Sequence, residues 1–352
     1  MGLNIRPDYK ITANDKDITA IIADRLKSLR LTDEAGVTSD MLEITLADHD
    51  PDKPIALPPT GAELELFIGY DGDVRRKGLF VCDEIEMSGY PCEMVIRARA
   101  APYDGTKAGK KDLQAQKTRS WKAKTTIGDM VKTMAGEHGM EASVSADLAA
   151  IALPHTDQVH ESDMNLLARL AKRYDAIAKP AGGKLLFVKR GESKTASGAA
   201  MPEFTLTPQD VSQWRVSLAT RDSAGTVVAR YRDIGAAKTK QIAVGEGDPV
   251  RQLRMAYKDQ ASALAAAKSE QRKRARSERS VSVQIPGNPD IVAESMMTIE
   301  GFRDGVDGQW LVNRVEHEIG PQGFVSRVEG EQPNKDKGVA KADGKVKVWD
   351  AG

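Results

Sequence analysis

Aromatic side chains make up only 5% of this 352-residue sequence, and it holds just two cysteines. Neither charge is in surplus: 51 Lys and Arg stand against 51 Asp and Glu, a formal net charge of zero with 29% of residues charged. That balance argues against a chain that coats polyanions, and the 40% hydrophobic content argues against a disordered one. No apolar run approaches the roughly 18–20 residues of a membrane-spanning helix, so no membrane span is expected. The start, MGLNIRPDYK, lacks the apolar stretch of a secretion signal. A chain made and folded in cytoplasm is therefore expected, and a reducing compartment disfavours disulfides. If residues 88–91 turn a hairpin, Cys82 faces Arg97 and Cys92 faces Met87, which predicts two free, packed thiols.

Catalytic signatures are missing as well. The five histidines, His49, His138, His155, His160 and His317, show neither HExxH nor a Cys/His metal spacing. There is no G-x-S-x-G, no P-loop and no G-x-G-x-x-G after a strand. His155, His160 and Glu161 come nearest to a ligand cluster and read as a loop before a capped helix. His317 falls on an apolar strand face, where a lone histidine is structural more often than basic. Carboxylates are plentiful, but nothing singles out the pair a glycosidase needs. No catalytic, cofactor-binding or metal-binding residue is assigned, and no enzyme activity or cofactor is expected.

What the sequence does contain is alternation. Leu64, Leu66 and Ile68 alternate with Glu63, Glu65 and Phe67, and residues 43–47, 78–87 and 93–99 behave alike, with glycines at the turns. Residues 18–30 fit strand and helix equally. Residues 1–103 thus read as a β-barrel-like domain, and an acidic one: 12 Lys and Arg against 19 Asp and Glu in residues 1–100 leave a net of −7. Residues 104–124 follow with 7 basic against 2 acidic residues, a net of +5, and no apolar period, so they read as an exposed connection. Thr126 and Asp129 then open a helix in capping-box style, with Ile127, Met130, Val131 and Met134 as its apolar stripe.

The most informative stretch is residues 160–174, HESDMNLLARLAKRY. Ser162 is placed to cap a helix, and Asp163 puts negative charge in its first turn. Met164, Leu167, Leu170, Ala171 and Tyr174 make one apolar stripe, with Arg169, Lys172 and Arg173 on the solvated side. Asp175 ends the helix, and strands at 176–179 and 184–189 form a hairpin. Residues 104–190 are therefore taken as a small α/β insertion, and the small residues of 191–203 as a linker. Beyond it, strands are predicted at 204–206, 214–220, 226–232, 240–244 and 280–285, with a closing hairpin over 310–331. A helix over 259–279, alanine-rich and then basic, interrupts them. Its charged end reads first as solvated. The functional alternative is that Lys268, Arg272, Lys273, Arg276 and Arg279 meet acidic neighbours or line a channel for passing DNA. Residues 332–352 read as a flexible tail, in which the apolar residues of 346–349 offer a docking patch.

Glu161, Ser162, Asp163, Leu167, Arg169 and Leu170, followed by the 176–189 hairpin, resemble the late control protein D family of phage tails. The ending supports the same resemblance, with Gly301-Phe302, Asp307-Gly308, Trp310-Leu311-Val312, Val315 and His317 in order. Similarity extends to the hub part of type VI secretion VgrG proteins. The sequence departs from the family pattern at Leu166, usually aromatic, and at Asp175, usually glycine. The resemblance implies a mainly β fold with an α+β insertion: two β-barrel-like hub domains, residues 1–103 and 204–331, flanking the small α/β domain. It implies a homotrimeric hub of a contractile tail baseplate, joining a six-fold tail tube to a separate three-fold spike. Such a hub would be built in the host bacterial cytoplasm and end in the virion tail baseplate, among tube and other baseplate proteins. A headless contractile bacteriocin, or tailocin, would use the same hub. Two rivals of other classes are a tail-associated peptidoglycan hydrolase and a nucleic-acid-binding protein using the basic segments.

Overall fold

The computed structural model describes residues 5–36, 39–50, 52–101, 113–181, 183–193, 199–219, 225–333 and 346–350. The chain is mainly β with few helices, as expected. Its first part holds β1 (Pro7–Ala13), β2 (Lys16–Asp17), β3 (Leu26–Glu34), β4 (Met41–Ala47), β5 (Glu63–Tyr70), β6 (Asp73–Ser88) and β7 (Glu93–Ala100). Alternate side chains point inward: Leu42, Ile44 and Leu46 from β4, then Leu64, Leu66 and Ile68 from β5. With Ile11, Leu29, Phe80 and Met94 they form one apolar core. Residues 18–30 use both of their options, a helical turn α1 (Thr19–Ile22) and a 3-10 turn Ala23–Arg25 before β3 begins. Both thiols are free. Cys82 faces Ala98 rather than Arg97, because a bulge between Cys82 and Glu84 adds a residue to β6.

The insertion contains β8 (Gln116–Trp121), α2 (Ile127–Glu137), β9 (Glu141–Val144), α3 (Ala146–Ala149), β10 (Thr156–Ser162), α4 (Asp163–Tyr174), β11 (Ala176–Ala181) and β12 (Lys184–Lys189). Both caps act as the sequence suggests. The Thr126 hydroxyl accepts from the Asp129 N–H, and the Ser162 hydroxyl accepts from the Asn165 N–H at 3.2 Å. Asp175 closes α4 in the left-handed region, at φ 54°. Met130, Val131 and Met134 from α2 meet Leu166, Leu167 and Leu170 from α4 over Leu185 and Phe187 of the hairpin. The exposed connection needs correction. Its residues 116–121 are β8, antiparallel to β10, while 104–112 lie outside the described residues. The inward face of β8 is Lys117, Arg119 and Trp121, so no apolar period announced it.

The last part holds β13 (Glu203–Leu206), β14 (Gln213–Leu218), β15 (Thr226–Asp233), β16 (Lys238–Val244), β17 (Val250–Tyr257), α5 (Gln260–Ser277), β18 (Arg279–Pro286), β19 (Met296–Ile299), β20 (Gly308–Gly320), β21 (Gly323–Glu331) and β22 (Lys347–Asp350). The linker residues 194–198 and tail residues 334–345 lie outside the described residues. Among the described residues there is no closed barrel. One 13-stranded sheet instead runs β14-β18-β21-β20-β3-β4-β7-β6-β5-β1-β2, with β19 on β20 and β13 on β19. The first and last parts fuse where β3 pairs antiparallel with β20, from Leu29 opposite Ile319 to Glu34 opposite Arg314. The last part keeps its own core of Val281, Val283, Ile285, Met297, Trp310 and Val328.

Helix α5 lies on a separate sheet, ordered β17-β15-β16-β22. Its Ala263 and Ala267 fill the core with Val227, Tyr231, Ile242 and Val244. β17 escaped the sequence reading because only Leu253 and Tyr257 of its eight residues turn towards the core, too few to show alternation. The tail patch is also corrected. Residues 347–350 are β22, paired antiparallel with the edge of β16, Val348 opposite Ile242.

Candidate functional site

The sequence motif builds the corner where β10 enters α4. Asp163 is fully buried there. Its Oδ1 accepts hydrogen bonds from Arg119 at 2.7 Å and from the Gln158 amide at 2.8 Å. Its Oδ2 accepts from the Lys117 ammonium at 2.6 Å and lies 2.8 Å from His138 Nε2. Glu137 takes the other side of both cations, 2.8 Å from Lys117 and 2.5 Å from Arg119. Arg119 also covers the Trp121 ring, 4.4 Å from its centroid. Burial pushes the Asp163 carboxyl up. Hydrogen bonds from Gln158, Lys117 and His138 and the Arg119 charge outweigh it and hold the pKa at about 2.

Glu137, His138 and Asp163 are ligand types close enough to share a cation. The Lys117 ammonium stands among them, 3.4 Å from His138 Nε2 as well, so the chain supplies that cation itself. Beside this network Glu161 receives a forked pair of hydrogen bonds from Arg169, at 2.7 and 3.1 Å, tying β10 to α4. Leu167 and Leu170 point into the core. The motif residues therefore act on one another. His155 instead meets Asp157 at 2.9 Å, and His160 sits at φ 48° in the β10 bulge, so neither joins Glu161 as a ligand set.

The C-terminal motif lies on β20. Trp310 donates its indole N–H to the Val306 carbonyl at 3.0 Å. Val312 is buried and exchanges backbone hydrogen bonds with Glu294 and Ser295. His317 is buried on the face of Val315 and Ile319. Its Nε2 donates to the Ile291 carbonyl at 3.1 Å, which leaves Nδ1 to accept from the Ser326 hydroxyl at 2.8 Å. Burial, reinforced by Lys77, lowers its pKa to about 3. A histidine held neutral between two structural partners is a strut between strands.

The five basic residues of α5 and its end part company. Arg276 is only 2% exposed and forks onto Asp175 at 2.6 and 2.7 Å. Its Nε is 3.0 Å from Glu331, which also meets Arg190 at 3.0 Å, and Arg190 lies 3.8 Å from Glu294. Arg276 thus faces the interior and lines no surface of the chain. Arg279 covers the Trp310 ring at 5.2 Å and donates to the Gly305 carbonyl. Lys268 and Arg272 are half-buried, and Lys273 is exposed. Sequence reasoning missed Lys117, Arg119, His138, Arg190, Glu294 and Glu331. The alternation of Lys117, Arg119 and Trp121 was the one local signal for them.

Caps, buried ion pairs and a neutral histidine strut thus hold together a mainly β chain with an α/β insertion. The chain belongs to the phage tail baseplate hub (GPD) family, whose model matches residues 58–323. It is 33% identical to the probable baseplate hub protein of Escherichia phage 186, covering 93% of each. The probable baseplate hub protein of Escherichia phage P2 is also 33% identical, over 93% of this chain and 94% of that one. Among solved structures, the 43 kDa tail protein of prophage MuSo2 from Shewanella oneidensis aligns at a TM-score of 0.68 and 15% identity, covering 93% of this chain and 98% of that one. The tail protein from Neisseria meningitidis MC58 gives 0.65 and 11%, covering 93% and 97%. The E. coli c3393 protein, a type VI secretion component, gives 0.52 and 10%, covering 96% and 76%. At these identities the structures speak for the fold alone.

Proposed function

We propose that three copies of this hub protein form a ring in a contractile tail, joining a six-fold tail tube to a three-fold central spike. The observation that carries the reading is the internal arrangement of the long sheet. Two β parts with separate apolar cores, the first of which also takes in Ile319 and Phe324 of the last part, are fused side by side through β3 and β20. Three such chains present six β units to the tube while keeping three-fold symmetry for a separate trimeric spike. The role is symmetry matching and assembly, with no chemistry of its own. Assembly takes place in the host cytoplasm and the product is the virion baseplate; a headless bacteriocin tail would use the same ring. Lys268, Arg272, Lys273 and Arg279 remain the basic residues for a neighbouring baseplate protein or for DNA in the lumen, where contacts weaken with salt.

The test is the absolute mass of the purified chain by light scattering, alone and with the candidate spike and tube proteins. A mass three times 38.2 kDa supports the ring. A chain that stays monomeric even with both partners present overturns it.

A further inference from the structure

The insertion closes its own core. Among the described residues, none of the side chains in that core belongs to the cores of the neighbouring parts. The β11–β12 hairpin turns Ala178, Leu185 and Phe187 inward, and on its other face Lys179 stands beside Ile177 and Leu186, two apolar side chains that are also buried. From that face Lys179 reaches into the first part of the chain. Its ammonium donates to the Glu34 carbonyl at 3.3 Å and lies 3.8 and 3.6 Å from Asp33 and Asp40. At the other end Arg190 donates to Asn313 and meets Glu331 and Glu294, while the Gly191 N–H donates to Glu294 at 2.9 Å. On a third side α4 meets α5 through polar groups. Arg276 forks onto Asp175 and Ser269 donates to the Lys172 carbonyl at 2.7 Å, while beside them Arg173 lies over Tyr257 of β17 and Lys258 donates to the His155 carbonyl at 2.8 Å.

We propose that the α/β insertion is a rigid module latched to the hub body by these three ionic clamps, and that opening the clamps lets it swing without unfolding. An apolar interface holds over a range of geometries. A buried ion pair holds in one and is lost when its fork is misaligned, so such contacts suit a two-position element. The module carries its own core, its helix N-caps and the internal network around Asp163, and none of these depends on the clamps; only the α4 C-cap, Asp175, is shared with one of them. Glu331 of the body meets both Arg190 of the module and Arg276, the body side of the Asp175 clamp, which sets these two clamps side by side. A baseplate hub has a use for such a latch, because an attached module can move while the 13-stranded sheet stays fixed.

Spin labels test this on the full chain, in a Cys92→Ser background with Cys82 left buried. One label replaces exposed Lys132 on α2 and the other exposed Asp304 on the body. Diluted into excess unlabelled chain, so that an assembly carries one doubly labelled copy, the protein with unaltered clamps should give a single narrow distance by pulsed electron resonance. Arg190→Gln combined with Arg276→Gln should add a second, displaced population, while amide protection within α2 and α4 stays within about threefold of wild type. A distance that stays single and narrow overturns the proposal, and so does loss of protection throughout the insertion. Should that double variant fail to fold, Lys179→Met cuts one clamp alone. It should then give a second population at lower fraction, and a single narrow distance there also refutes the latch.

Discussion

Replacing Asp163 tests whether the motif is an internal charge network. The carboxylate is fully buried and receives four side chains. Holding it at about 2 instead of the usual 3.8 corresponds to roughly 2 kcal/mol of stability at neutral pH. Asp163→Ala also leaves Lys117 and Arg119, whose side chains are 29% and 23% exposed, with Glu137 as the carboxylate that still meets them. Breaking a buried pair from one side costs about 3–5 kcal/mol, and the partial exposure of the cations favours the lower end, about 3 kcal/mol. The helix-dipole contribution of the same charge is about 1–2 kcal/mol, smaller than the cost of the broken ion pairs.

Because the chain has several cores, one melting temperature would mix their responses, so native-state hydrogen exchange is the better assay. Protection of α2 and α4 should fall roughly a hundredfold, while β20 and β21 keep theirs. Asp163→Asn should behave almost as badly, since an amide N–H would face donors already present. The pH dependence has a definite sign. The folded pKa is depressed, so this stability is present above about pH 4 and lost as pH falls towards 2; the Ala variant should lack that loss. A fall of less than tenfold, or an Asn variant that matches wild type, would refute the network account.

Three further outcomes follow from the same contacts. The lowered pKa of His317, about 3, means that the unfolded chain binds this proton first as pH falls below about 6.5. Stability should then drop by about 1.4 kcal/mol per pH unit from this group, and His317→Gln should flatten that slope in the exchange protection of β20 and β21 between pH 4 and 6.5. Removing residues 346–352 uncovers the β16 edge but releases side chains already about two-fifths exposed, Val346, Val348 and Trp349. Stability should change by less than about 1 kcal/mol while the Lys240–Ala243 amides exchange faster. Of the two free thiols, half-buried Cys92 should react first with a thiol reagent. Cys82, 1% exposed and with its pKa pushed up by burial and by Asp83, should react only on unfolding.

The parts of the fold that could be read from sequence are those whose physics fits within a few residues. Thr126 with Asp129, Ser162 with Asn165, and the alternation of Leu42, Ile44 and Leu46 each declare an element locally. The network around Asp163 is different, because Lys117 lies 46 positions away and is an ordinary basic residue until β8 pairs with β10. Arg276 posed the same difficulty at 101 positions, one arginine in a basic run whose other members are half-buried or exposed. A local trace of it exists even so. Ser262, Ser269 and Arg276 recur every seven residues, two helical turns apart, and all three are buried on one face of α5. Asp175 is where the local and distant accounts meet. A left-handed helix end explains why the family pattern has glycine there, and tolerance of φ 54° explains why an aspartate can replace it. Only the guanidinium of Arg276, brought up by a different helix, explains why the replacement carries a charge. A departure from a family pattern at a backbone position is thus accounted for by an ion pair that no stretch of neighbouring residues contains.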